Sequence, residues 1–292
     1  MSPVAFFLGF AVTFAATRPA MLLAWWVGAV ARANPEIRAH DRDVPLLGGL
    51  AIILGLGVFL IPAGSNPGIV ALLGGGGLAG LGLFKDLKPD RLSPFRQLCI
   101  QVPASAALAV GTIEHPSLLG LGAATFCTVL LVNAINMLDV ADGLASSVAA
   151  MMAAALAAGF SIAGGPVGVA LATAGASLGF FSWNAPKARI FMGDVGSYSL
   201  GAVLAWLLLS GWQAGTPIFA LALIAIVPVV DFTAVVVTRL SRGRSPMVGD
   251  ISHPCLILLE RGIGGWTVLA LVLALGLGGG AAGILITQLA KT

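Results

Sequence analysis

The chain has 292 residues, of which 58% are hydrophobic and only 9% charged, and its mean hydropathy is +1.01. A soluble domain of this length cannot cover so much apolar surface with so few polar groups, so the composition excludes a water-soluble fold and points to a polytopic membrane protein. A net charge of +3 gives no support to a nucleic-acid partner, and the three scattered cysteines (Cys99, Cys127, Cys255) suit neither a disulfide framework nor a metal cluster.

A membrane helix needs about 20 mostly apolar residues. On that measure the sequence predicts an all-α bundle of about ten membrane helices, forming one domain over 1–292. The first spans 3–16 and has no basic stretch before it, so a cleavable signal is not expected. The apolar stretch 21–31, with Trp25 and Trp26, either extends that helix or lies at the interface. Further spans follow at 46–62, 68–84, 94–111, 118–137, 147–164, 166–183, 198–212, 217–238 and 264–290. Asn66-Pro67, His115-Pro116, Gly164-Gly165-Pro166 and Gly215-Thr216-Pro217 separate them on one side with very short loops.

The charged residues fall on the other side, in loops near 32–46, 85–93, 138–146, 184–197 and 239–262. All of the 15 Lys and Arg except Lys291 lie in or beside these loops. The positive-inside rule makes them cytoplasmic and puts the N-terminus outside. All but Glu114 and Asp231 of the 12 acids join them. Topology accounts for the basic residues but not for the acids, which contribute little to orientation.

In the first loop, Gly48-Gly49 lets backbone N–H groups approach a phosphate, with His40 or Arg42 adding positive charge. In the second, Asp86 stands at a predicted helix end among Lys85, Lys88, Arg91 and Arg96. The lysines and arginines suit snorkelling anchors, which explains Asp86 less well. In the third, Asn133, Asn136, Asp139 and Asp142 recur at every third residue, which keeps neighbouring polar groups near one face of a helix end. Such groups at a membrane helix end are costly without partners. In the fourth, Asn184 and Phe191 precede Gly193-Asp194, a carboxylate on a glycine-flanked turn that suits a hard cation. Phe191 either stacks on a base or faces lipid. The fifth, Arg239 to His253, is basic enough for a phosphate or an anionic headgroup, and a lone His253 is structural by default. Carboxylates, amides and basic groups on one membrane face suit metal-assisted chemistry on a phosphate-bearing substrate.

The order of these segments from Arg38 to Gly262 resembles the polyprenyl-phosphate N-acetylhexosamine-1-phosphate transferases. This family includes the undecaprenyl-phosphate GlcNAc-1-phosphate and phospho-muramoyl-pentapeptide transferases. The most specific pieces are Asn133-Ala-Ile-Asn-Met-Leu-Asp-Val-Ala-Asp-Gly-Leu144 and Phe191-Met-Gly-Asp-Val-Gly-Ser197. His40 with Val44-Pro45 and Gly48-Gly49, and Gly243-Arg-Ser-Pro246 with Asp250 and His253, resemble the first and last cytoplasmic motifs. The resemblance implies attack of a polyprenyl phosphate, expected to be undecaprenyl phosphate, on a UDP-N-acetylhexosamine at the cytoplasmic face of a bacterial inner membrane. UMP leaves, and Mg²⁺ is the cofactor, with Mn²⁺ as an alternative. It implies Asp194 as the metal ligand and Asp86, Asp139, Asp142, Asp194 and His253 as catalytic. Asn133, Asn136, Asp139, Asp142, Asn184 and Phe191 would bind the nucleotide sugar, and Lys85, Lys88 and Arg96 the lipid phosphate. A homodimer is compatible with the family.

Three segments depart from the family pattern. Lys85 stands where a second aspartate is usual, Val140 where glycine is usual, and Leu256 and Ile257 where the last loop carries a histidine and an arginine. A relative that binds these ligands without turning them over is therefore the second reading, and a membrane transporter the third. Asp231, inside a predicted membrane helix, is the residue that favours transport. Transporters gather polar residues near the bilayer midplane, whereas here nearly all lie at one interface, and an Asp231 buried near the same site is the preferred explanation.

Overall fold

A computed structural model describes residues 2–32, 42–60, 66–245 and 253–292. The expectations for His40 and Asp250 lie outside the described residues, as do those for Arg38 and Pro246. The chain is an all-α bundle. Its helices are α1 (Ser2–Val27), α2 (Gly48–Leu60), α3 (Asn66–Leu87), α4 (Pro94–Val110), α5 (Leu118–Leu138), α6 (Leu144–Ala163), α7 (Val167–Asn184), α8 (Gly193–Gln213), α9 (Ile218–Ile224), α10 (Ile226–Ser241), α11 (Pro254–Glu260) and α12 (Gly265–Leu289). Two short strands, β1 (Val30–Ala31) and β2 (Val44–Pro45), pair antiparallel beyond the end of α1.

Six of the described helices are long and apolar enough to cross a membrane: α1, α3, α5, α6, α8 and α12. The broken pair α9 and α10 makes a seventh if it counts as one span. Burial separates these helices into centre and periphery. The most apolar stretches of α6 and α8 are 72% buried, against 22% for α1 and α12. Helix α8 is therefore the axis, packed against α2, α3, α5 and α6. Outward-facing Trp26, Leu118, Leu119 and Phe219 are more than three-quarters exposed, as lipid-facing side chains should be.

Local chemistry explains the boundaries. Ser93 and Ser117 cap α4 and α5 by accepting hydrogen bonds from the Arg96 and Gly120 backbone N–H groups, and Pro94 takes the first position of α4. The stretch 21–31 is not a separate element, since α1 runs unbroken through Pro19 to Val27. The predicted span 217–238 is broken by a 74° bend at Ala225. Pro228, in the first turn of α10, has no N–H to give to the carbonyl four residues back, so the helix cannot continue straight through this point.

Candidate active site

The site is built around the start of α8. Gly193 sits at φ +71°, a left-handed conformation that glycine adopts without strain, and a Cβ there would lie 2.6 Å from Asp86 Oδ2. Asp86, on the last turn of α3, uses that space. Its two carboxylate oxygens accept hydrogen bonds from the backbone N–H groups of Asp194 and Val195, each 2.9 Å. These are first-turn donors without an intrahelical partner, so Asp86 caps α8 and meets the positive end of its dipole.

The cap aims Asp194 at α3 and α5. Lys85 Nζ lies 2.8 Å from Asp194 Oδ2. It also donates to the Tyr198 hydroxyl at 3.0 Å, one turn further along α8, and rests 4.9 Å from the centre of that ring. Asn136, on α5, donates to Asp194 Oδ1 at 2.6 Å and to Ser197 Oγ at 2.8 Å. Asn133, one turn back, exchanges amide hydrogen bonds with Gln101 of α4, the shorter 2.9 Å. The three-residue spacing seen in the sequence thus serves two ends: Asn136 holds Asp194, and Asn133 ties α5 to α4.

Asp139 caps the end of α5, and the turn after it is locked to the loop before α8. Asn184 is buried, accepts from Gly143 N at 2.8 Å and donates to the Ile190 carbonyl at 3.0 Å. Asp142 Oδ2 accepts from Ala188 N at 2.9 Å. The same loop hydrogen-bonds to the start of α2: Phe191 N donates to the Pro45 carbonyl, and Gly48 N and Gly49 N donate to the carbonyls of Phe191 and Met192. Gly49 meets the Gly196 backbone so closely that a Cβ on it would overlap that backbone. Here Gly48 and Gly49 serve the approach of two helices.

On the opposite wall, His253 Nδ1 lies 3.2 Å from Asp231 Oδ2, both groups buried. The Nδ1 edge of the ring is turned to this carboxylate, so Nε2 is the nitrogen on the other edge. Asp231 is thus a partner within the bundle, at the site.

These groups line one cavity of about 1550 Å³. Its lining includes Lys85, Asp86, Asn133, Asn136, Asp139, Asp142, Asn184, Phe191, Asp194, Arg239 and His253. Its apolar flank is formed by Phe126, Val129, Leu130, Phe232, Val236 and Trp266. The structure therefore brings together every predicted site residue except Lys88 and Arg96, which are exposed and do not line it. Arg239, read from the sequence only as one member of a basic loop, is 4% exposed and lines the cavity. Its signal was present: Phe232, Val236 and Arg239 recur at i, i+4 and i+7, one face of a helix. Tyr198 and Gln101 were also missed, because their partners are on other helices.

The residues do not fit a resident divalent ion. Both oxygens of Asp194 are engaged, one by an ammonium group, and both of Asp86 hold backbone amides. Among the described residues no three His, Cys, Asp or Glu side chains converge, so a divalent ion here would rest on one or two carboxylates, and both at the start of α8 are already committed. Mg²⁺ asks for near-octahedral oxygen ligands, and an ammonium on the same carboxylate oxygen opposes it.

The chain is similar to known proteins over most of its length. The family described as Glycosyl transferase family 4 matches residues 69–212. The decaprenyl-phosphate N-acetylglucosaminephosphotransferase of Mycobacterium tuberculosis is 31% identical, over 86% of this chain and 74% of its own. The probable undecaprenyl-phosphate N-acetylglucosaminyl 1-phosphate transferase of Bacillus subtilis is 28% identical, over 78% and 68%. The phospho-N-acetylmuramoyl-pentapeptide-transferase of Mycolicibacterium smegmatis is 31% identical, over 71% and 74%. With identity of this level across most of both chains, and a bundle of apolar helices around one polar-ended cavity, the chain belongs to glycosyl transferase family 4.

Proposed function

We propose that the protein transfers a sugar 1-phosphate, an N-acetylhexosamine 1-phosphate, from a UDP-sugar to a polyprenyl phosphate and releases UMP. The observation that carries this is the cavity, whose polar end meets an apolar flank inside a membrane bundle. An anionic head and an apolar tail on one substrate need that combination, and the volume exceeds the roughly 300–1,000 Å³ of a single small-molecule pocket. The names of the similar proteins support the same reading.

In this reaction a phosphate oxygen of the lipid forms a bond to the β-phosphorus of the UDP-sugar. The bond from that phosphorus to the bridging oxygen breaks, and UMP leaves with its electrons. The nucleophile is already anionic, so the protein contributes position and charge neutralisation more than a strong base. Lys85 and Arg239 are cationic groups on the cavity wall, His253 lines it while paired with Asp231, and Asp86 and Asn136 fix the helix start that carries Asp194. Asp139, Asp142, Asn184 and Phe191 belong to the nucleotide side of this reading, and Phe191 stacks on the uracil. The resemblance implies Mg²⁺ or Mn²⁺ at Asp194; no step is routed through such an ion, because the donor set does not fit it.

We propose the membrane topology as well. Helices α2, α4 and α7 complete about ten crossings in one domain, the N-terminus lies outside, and the cavity opens to the cytoplasm of a bacterial inner membrane. The distribution of Lys and Arg supports that orientation. A homodimer is part of the same proposal, on the strength of the resemblance alone. A ligand-binding relative without turnover has the departures at Lys85 and Leu256 in its favour. Incubation with UDP-GlcNAc, undecaprenyl phosphate and detergent-purified protein separates the two: UMP release supports transfer, while UDP-sugar binding without UMP supports the alternative.

A further inference from the structure

Lys85 is 14% exposed, inside the last turn of α3, and reaches the carboxylate that the resemblance implies for a metal. Three features hold it there: the ion pair to Asp194 Oδ2 at 2.8 Å, the hydrogen bond to the Tyr198 hydroxyl at 3.0 Å, and the face of the same ring. Asn136 fixes the other Asp194 oxygen at 2.6 Å, so the carboxylate cannot swing away from the ammonium without losing a second bond. An ammonium has three N–H donors. Two are accounted for by Asp194 and Tyr198, and Lys85 lines the cavity, so the third is available to an anion bound there.

We infer that Lys85 is the resident cation of this site: its ammonium takes the cation place at Asp194 and presents its remaining donor to a substrate phosphate, instead of a bound divalent ion. Asp194 then positions the lysine, and Tyr198 and Asn136 keep the pair in register. A lysine serves as a compact point charge for phosphate, so the neutralising role passes to the chain itself. The inference takes its substrate phosphate from the transferase reading, but its metal prediction stands apart from that reading.

The test uses full-length protein in lipid nanodiscs. Mn²⁺ binding is followed by electron paramagnetic resonance, with UMP present, in wild type, Lys85→Asp and Lys85→Gln. The wild type should show no specifically bound Mn²⁺ up to about 1 mM. Lys85→Asp should gain a site at least about tenfold tighter, since it adds a carboxylate and removes the ammonium. Lys85→Gln removes the charge without adding a ligand, and should bind more weakly than Lys85→Asp. UMP release by the wild type from UDP-GlcNAc and undecaprenyl phosphate should change less than about threefold in EDTA. A wild-type site tighter than about 1 mM overturns the inference whatever the variants do, as does EDTA abolishing turnover. Absent UMP release alongside weak wild-type Mn²⁺ binding would sink the transferase reading and leave the lysine assignment standing.

Discussion

Asp194 collects Lys85 and Asn136 through its side chain, while its own backbone N–H is held by Asp86. Its neutral isostere keeps the shape and loses the charge that holds Lys85. Asp194→Asn should lower UMP release by about two orders of magnitude, the scale at which one positioned electrostatic group contributes; turnover within threefold of wild type would mean that the pair is only structural. Asp86 acts differently, as a helix cap. Asp86→Ala should destabilise the protein by about 0.5–2 kcal/mol, read as a lower thermal unfolding midpoint in detergent, in addition to any loss of rate. Cys255 gives a check on the wall beside His253. Burial pushes its thiol pKa up to about 12. In a Cys99→Ala, Cys127→Ala background, a water-soluble maleimide at pH 7–9 should therefore leave Cys255 unmodified, because the thiolate is the reactive form and its fraction stays negligible below the raised pKa. Rapid labelling in that range would contradict the burial of Cys255.

At the scale of elements, the start of α8 is where sequence and geometry agree most closely. Phe191-Met-Gly-Asp-Val-Gly-Ser197 announced a glycine-flanked carboxylate at a helix start, and Gly193 supplies the left-handed residue that lets Asp86 in. Gly193→Ala combines backbone strain with a clash against Asp86, and should cost more stability than Asp86→Ala; a smaller effect would mean that the turn relaxes. Other features were less legible for definite physical reasons. The spans came from hydropathy, which reports length and not direction, so the 74° break between α9 and α10 was hidden in an apolar run although Pro228 marked it. The pairing of Asp231 with His253 needed 22 residues of separation to be closed by α10 and α11. Its outline was readable, because an acid in a membrane helix requires a partner, but the partner's identity was not. Arg239 was legible only as one member of a basic loop, because a run of basic residues does not show which of them turns inward. Lys88 and Arg96 show the converse: the resemblance implied a lipid-phosphate role, whereas both are exposed and outside the cavity lining.

At the scale of the molecule, two buried helices, α6 and α8, act as a fixed centre against which the other helices assemble the cavity. The polar groups cluster at the α8 start, and the apolar flank runs between α5, α10 and α12. That placement fits a lipid with a phosphate head better than a solute crossing the bilayer, whose binding groups would stand near midplane. The proposed orientation has its own test. Single cysteines placed at Lys187 and at Gln213, in a background without native cysteines, should react with an impermeant maleimide from opposite sides of oriented vesicles, Lys187 from the cytoplasmic side; labelling of both from the same side would remove that topology. The central claim is transfer to a lipid phosphate, and it is tested most directly by following UMP release and lipid-linked product together, with undecaprenyl phosphate and UDP-GlcNAc or UDP-GalNAc on the wild-type protein in nanodiscs. The account predicts that UMP and the lipid diphosphate sugar appear in equal amounts with at least one of these donors, and that both vanish when the lipid phosphate is omitted. UMP without a lipid product, or no UMP with either donor, would contradict it.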